Sequence, residues 1–390
     1  MGEYNCGVME LLFNEVGEAS IGARKEVLLE QLKARFNLVR DRKVYSCKDF
    51  AIRVSSSESG SFSNTVLSLS TLEKYDTRPF IVILVTPNET NMYLANSTFL
   101  KKISHSSLKL RVDNIRGSFN GSDIMKVYNG VTNSSENFEE LFAIHQAFTW
   151  DENLERLVEA TNDIVPHKKR FEFNEDRTRE CLMLSPNRAC LFMNSKGFKQ
   201  LRDDLIARTK RVENEIVIAS FIDNVNLRGR IIEELITADD PRVIDGYKKA
   251  LADGESLSVK TDQKLGDYSR AFQGFRTETD IKTKILFLQS APKAFNVDKL
   301  LNFLSADDSV YLFYLVGIDK DNQILTRLVS VFEKKLLSSI VVQHHWAGRG
   351  SRGVTQFSGI ALDELINGEN DACDIDEAQA VAFLEKILAL

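Results

Sequence analysis

The order of elements between Leu227 and Ile318 leaves few folds open. LRGRIIEELIT (227–237) has the apolar spacing of a helix, SLSVKT (256–261) reads as a strand, and LGDY (265–268) as a strand or turn. DIKTKILFL (280–288) is a clear strand, NVDKLLNFL (296–304) a helix and SVYLFYLVGI (309–318) an apolar strand. The resulting order, α-β-β-β-α-β, belongs to an α/β (α+β) domain with a central mixed sheet flanked by helices. Upstream of it, ACLFMN (189–194) looks β-like and KGFKQLRDDLIARTKR (196–211) helical.

The first half has a different texture. RKEVLLEQLKARF (24–36) places Val27, Leu28, Leu32 and Phe36 on one helical stripe. KVYSCKDFAIRVS (43–55), SNTVLSLSTL (63–72), RPFIVILVTP (78–87) and NMYLANSTFL (91–100) are short β-rich runs separated by Ser, Asn, Gly and Pro. Helix returns at NFEELFAIHQAF (137–148) and at DENLERLVEATNDI (151–164), where Asp151 is the expected cap. The charged stretch VPHKKRFEFNEDRTR (165–179) then suits a linker. At 390 residues the chain is too long for one ordinary core. We therefore expect a β-rich α+β domain over 1–170, acting in recognition or regulation, and a catalytic domain over 171–390.

A net charge of −6 argues against coating nucleic acid through bulk positive charge, but not against local Lys/Arg contacts beside acidic metal ligands. The five cysteines are odd in number and lack a CxxC pair, which fits reduced thiols and no zinc site. MGEYNCGVMELLF lacks the basic-then-apolar order of a secretory signal, and no apolar run approaches the roughly 20 residues of a membrane span. The expectation is a cytoplasmic protein with no membrane partner.

Metal-assisted phosphodiester hydrolysis needs two or three carboxylates converging on a divalent ion and a cation near the attacking water. In Asp280-Ile281-Lys282, strand alternation puts the acid and the lysine on one face and turns Ile281 into the core. Asp267 lies 13 positions earlier, a spacing that suits a hairpin bringing the two acids together. Glu233 stands on the preceding helix, with Glu234 as the alternative if the helix phase differs; Glu278 and Lys284 read as structural or phosphate-contacting.

The pattern Gly266-Asp267 followed by Asp280-Ile281-Lys282, with an upstream Gly229-Arg-Ile-Ile-Glu233 helix, resembles the PD-(D/E)XK nucleases, among them the type II restriction endonucleases. The resemblance covers residues 228–317; Gly266 stands where Pro is usual and Asp280 where Glu is commoner. It implies a nuclease core in which Asp267, Asp280 and the Ile281 carbonyl hold Mg²⁺, with Mn²⁺ able to substitute. Lys282 then orients or activates water, and Glu233 adds a metal or water contact.

Two segments have the composition of DNA readers. QHHWAGRGSRGVTQFSG (343–359) gathers His344, His345, Arg349, Ser351, Arg352 and Gln356 among glycines; Arg matches guanine and Gln adenine in the major groove. His344 and His345 are not expected to share a metal, since neighbours on a strand point to opposite faces. SSLKLRVDNIRGSFNGSDI (106–124) gathers Arg111, Asn114, Arg116, Asn120 and Ser122. No P-loop or methyltransferase signature is present. The expected activity is a Mg²⁺-dependent, sequence-specific double-stranded DNA endonuclease, working as a homodimer beside a separate cognate DNA methyltransferase. The alternatives are a modification-dependent or repair nuclease, and a non-catalytic DNA-binding protein with a nuclease-like fold.

Overall fold

Alternation within two strands dictates how each half is layered. A computed structural model describes residues 4–18, 25–57, 67–106, 117–165, 170–253, 265–288, 290–345, 349–368 and 374–390. The chain divides into two units, Met1–Lys168 with His344–Gly350, and Lys169–Gln343 with Ser351–Leu390.

The first unit opens with helices α1 (Cys6–Glu18) and α2 (Lys25–Phe36) and strands β1 (Val39–Asp41), β2 (Val44–Ser46) and β3 (Ala51–Ser56). Next come β4 (Leu67–Ser68), helix α3 (Leu69–Glu73), β5 (Phe80–Val85), β6 (Thr90–Leu94), β7 (His105–Ser106) and β8 (Gly117–Phe119). A hairpin of β9 (Val127–Tyr128) and β10 (Val131–Thr132) leads to helices α4 (Phe138–His145) and α5 (Trp150–Asn162). The main sheet has the order β1-β2-β3-β5-β6, with β3 and β5 parallel and the other neighbours antiparallel.

All six residues of β5, FIVILV, are buried, so both faces of the sheet are covered. Ile81, Ile83 and Val85 pack with Leu12, Leu28, Leu32, Leu141 and Phe142. Phe80, Val82 and Leu84 face Leu69, Phe119, Leu157 and Val158. Val27 of the expected stripe is instead exposed, because the inward face of α2 is carried by Leu28 and Leu32.

The second unit begins with six helices: α6 (Asp176–Met183), α7 (Ser185–Met193), α8 (Lys196–Arg211), α9 (Glu213–Ser220), α10 (Val225–Thr237) and α11 (Pro241–Asp253). Strands β11 (Tyr268–Phe272), β12 (Phe275–Ile285) and β13 (Lys293–Asn296) precede helix α12 (Val297–Leu304) and strands β14 (Ser309–Ile318) and β15 (Ile324–Ser330). The remaining elements are α13 (Lys334–Ser339), β16 (Val341–His344), β17 (Gly353–Gln356), α14 (Gly359–Ile366) and α15 (Glu377–Leu388).

The central sheet runs β11-β12-β14-β15, with β12 and β14 parallel and the outer pairs antiparallel, which makes it mixed. Every residue of β14 is buried, so this sheet too is covered on both sides. On one side the Tyr314 hydroxyl meets Thr209 of α8 at 2.9 Å. On the other, Phe295 and Phe357 pack against Phe313, and Ile366 of α14 lies over Gly317.

Several expectations are corrected. ACLFMN is the second half of α7, because Ser185-Pro186 starts a helix and Ala189 and Phe192 then fall on one buried face; so short an apolar run shows no period of its own. Leu69–Glu73 within the expected β run is α3. Helix α5 is capped by Thr149, whose side chain accepts from Glu152 N while Glu152 reaches back to Thr149 N; Asp151 lies in the first turn. The proposed linker already contains the start of α6, and α9 and α11 are helices the sequence reading did not mark. Strand β12 starts five residues before Asp280 and ends at Ile285. SLSVKT lies outside the described residues. No helix among the described residues is long and apolar enough to cross a membrane.

Candidate active site

Antiparallel pairing of β11 with β12 places Tyr268 opposite Thr279, and Asp267 N donates to Thr279 O at 2.9 Å. This carries Asp267 to the position facing Asp280. Asp267 Oδ2 in turn accepts from the Ile281 backbone N–H at 2.8 Å. Gly266 is close to the same contact: a Cβ there would stand 2.9 Å from Glu278 Oε2 and 3.1 Å from Thr279 N, so a larger residue requires the Glu278 side chain to move and Thr279 to give by a little.

On β12, Ile281 is fully buried in the core while Asp280 and Lys282 share the other face. Lys282 Nζ donates to Asp280 Oδ1 at 2.7 Å, and both side chains are largely buried. The second oxygen, Oδ2, accepts from the Tyr311 hydroxyl at 3.1 Å. Tyr311 lies opposite Glu278 in the parallel register of β12 and β14, one step along from Asp280, and its hydroxyl also stands 3.2 Å from Leu265 O. One phenol therefore touches Asp280 and the segment that leads into Asp267.

Electrostatics tie Glu233 to this group. Burial, then the charge of Asp267, pushes the Glu233 carboxyl up from 4.5 to about 7, with Lys282 and Arg230 pulling the other way. Burial also lifts Asp280 well above the usual carboxylate range, offset in part by Lys282 and reinforced by the adjoining Asp267. Desolvation works to lower Lys282, but the carboxylates of Asp280, Asp267 and Glu233 outweigh it and hold the ammonium above its ordinary value. Lys282 is thus a fixed cation at neutral pH rather than a base. Of the two acids on α10, Glu233 is the one whose charge acts on Lys282.

Three acids against one lysine leave surplus negative charge in a partly dry site, which adds to the burial that raises Glu233 and Asp280. The donors are all oxygens, the set that a hard divalent ion such as Mg²⁺ or Mn²⁺ takes. Among the described residues no three His, Cys, Asp or Glu side chains stand together as a metal cage. Two acids and the Ile281 carbonyl are a different set. It fits the charge and the donor chemistry, because each carboxylate oxygen has a second lone pair beyond those used by Lys282 and Tyr311.

The expected DNA readers are less well supported. Arg111, Asn114 and Arg116 lie outside the described residues. Asn120 is buried, its N–H bonded to Asp123 Oδ2 at 2.7 Å in a short turn, and has no surface to offer a base edge. Arg352 is paired with the buried Asp298, Gln356 bonds Ala291 O and accepts from Gln343 at 2.9 Å, and Ser351 bonds Gly353 O at 3.1 Å. These three side chains are used in holding their own loop. His344, His345 and Arg349 are half-buried.

Sequence reasoning missed Tyr311. It sits in an uninterrupted apolar run, where an aromatic residue reads as core packing and nothing marks the hydroxyl. Comparison with family models, with curated proteins and with solved structures finds no match to this chain.

Proposed function

We propose that the chain is a Mg²⁺-dependent, site-specific double-stranded DNA endonuclease of the PD-(D/E)XK class, acting in the manner of a type II restriction enzyme. The observation that supports it best is the convergence of Asp267, Asp280 and Lys282, with Asp267 bonded to the Ile281 N–H and Lys282 bonded to Asp280. Asp280 and Lys282 on β12, Asp267 just before β11, and Glu233 on α10, whose charge acts on Lys282, are the residues that the resemblance names.

Asp267, Asp280 and the Ile281 carbonyl would hold the metal, which when bound lowers the pKa of its water and supplies a nucleophile near neutral pH. Lys282, kept charged by three neighbouring acids, stabilises the negative charge that develops on the phosphate. Glu233, with a carboxyl near 7, is poised to accept or return a proton at the pH where the reaction runs. Tyr311 and the buried face around it hold Asp280 in a single orientation. A cut through both strands of a palindrome calls for two copies of the chain, and the host DNA for protection by a separate methyltransferase.

The test is incubation of the purified chain with unmethylated phage DNA, with and without Mg²⁺ or Mn²⁺, beside Asp280→Ala. Discrete, metal-dependent fragments that the variant does not produce are expected. Cutting confined to methylated DNA would replace the restriction reading by a modification-dependent one. No cutting of either DNA, with binding retained, would leave a non-catalytic DNA-binding protein.

A further inference from the structure

The face of β12 that carries Asp280 and Lys282 continues to Lys284, about 7 Å further along the strand. There it opens on a cavity of about 540 Å³, bounded by the end of β12, residues 286–288, 290 and 291, and the start of α14. That volume lies within the range of pockets that hold small organic groups. Two of its lining segments are in backbone contact: a Cβ on Gly359 would lie 2.1 Å from Ser290 O.

Two kinds of wall meet in it. Lys284, whose side chain is 2% exposed, bonds to Asp363, whose side chain is 32% exposed toward the opening. The pair is neutral, so a phosphate gains little from it. It nevertheless presents N–H donors beside a carboxylate acceptor. The mouth is apolar, with Phe287 63%, Leu288 45% and Ile360 72% exposed. Three large exposed apolar side chains thus form one rim around the opening.

We infer that this cavity receives an unstacked nucleobase from the DNA strand held at Asp280 and Lys282, with Lys284 and Asp363 bonding its edge and Phe287 stacking on its face. The edge must carry an acceptor beside donors, and guanine offers O6 to Lys284 and both N1–H and N2–H to the Asp363 carboxylate, one donor more than any other base sets beside an acceptor. A flat ring with a polar edge satisfies both walls at once, and aromatic stacking of this kind tolerates any base while the edge selects among them. The separation of about 7 Å from Lys282 corresponds to roughly two nucleotides of duplex rise. The inference rests on the nuclease reading and specifies which part of its substrate the site distinguishes.

The experiment compares wild type, Phe287→Ala and Asp363→Asn on a pool of randomised duplexes in Mg²⁺, with the cut ends sequenced. Phe287 is exposed, so its variant folds; Asn at 363 keeps a partner for Lys284 but adds a donor. Wild type should select one base within about two nucleotides of the cut. Phe287→Ala should lower that selection about tenfold, and Asp363→Asn should redirect it to another base. The same end preference in all three proteins overturns the inference while leaving cleavage intact. If wild type cuts no DNA, cleavage is refuted and the pocket is judged separately. 2′-Deoxyguanosine at roughly millimolar concentration is then added to methyl-labelled protein. Shifts at Leu288 and Ile360 that vanish in Asp363→Asn sustain a base site, and silence overturns it.

Discussion

Glu233→Gln removes one carboxylate from the cluster while keeping its shape, and its effect on stability depends on pH in a way set by one shifted pKa. Burial and the charge of Asp267 raise the Glu233 carboxyl from 4.5 to about 7. Over that interval the folded chain keeps a proton that the unfolded chain has released. The stabilisation from this group is therefore complete below 4.5 and is lost as pH rises to 7, beyond which it stays constant. At about 1.36 kcal/mol per unit the loss is roughly 3 kcal/mol. Gln does not titrate, so the variant should equal wild type in acid and exceed it by roughly 3 kcal/mol at about pH 8. For a domain of this size that is a rise of about 6–12 °C in Tm. Urea and thermal unfolding in EDTA across the range measure it. Asp280 and Glu333, which are also raised by burial, slope the same way in both proteins and cancel in the difference. Saturating Mg²⁺ should narrow this gap, since a bound ion stabilises wild type by about 2.7 kcal/mol at a hundred times its Kd and the variant by less. An unchanged pH slope in the variant would refute the assignment of Glu233 to the cluster.

Two further substitutions separate roles that the sequence alone confuses. Tyr311→Phe keeps the ring but deletes the hydroxyl 3.1 Å from Asp280 Oδ2, and should slow cutting about tenfold to a hundredfold and lower stability by about 1–3 kcal/mol; unaltered rate and urea midpoint would show the contact to be idle. Arg352→Ala strands Asp298, which also accepts from the Phe171 and Arg352 backbone N–H groups, and should cost about 3 kcal/mol in unfolding without changing the preferred DNA sequence. A stable variant with relaxed sequence preference would restore Arg352 to the role of base reader.

In the second unit α10, β12, α12 and β14 were legible because they are long enough to display their period, whereas α11 and β13 were not marked. The Asp280-Ile281-Lys282 alternation was legible for the same reason: strand geometry fixes which side chains share a face. ACLFMN failed because six apolar residues fit either period, and the Pro186 that starts the helix stands before them. For the recognition segment, composition is all that the sequence offers. Arg352, Gln356 and Ser351 have the composition of a base reader, yet composition does not say which polar groups are already bonded within the fold.

By itself the sequence determined a mixed α/β chain with two dissimilar halves, and a strand that presents an acid and a lysine side by side. Tertiary structure decided what those residues meet. Asp267 reaches Ile281 through a pairing between strands. Glu233 acquires its altered acidity only because α10 brings it near Asp267 and Lys282 in a dry environment. Tyr311 becomes part of the site only because β14 lies parallel to β12 in a register that sets it beside Asp280. Local pattern fixes direction along an element, whereas burial and charge coupling arise between elements distant in sequence, and that is where the chemistry of this site is set.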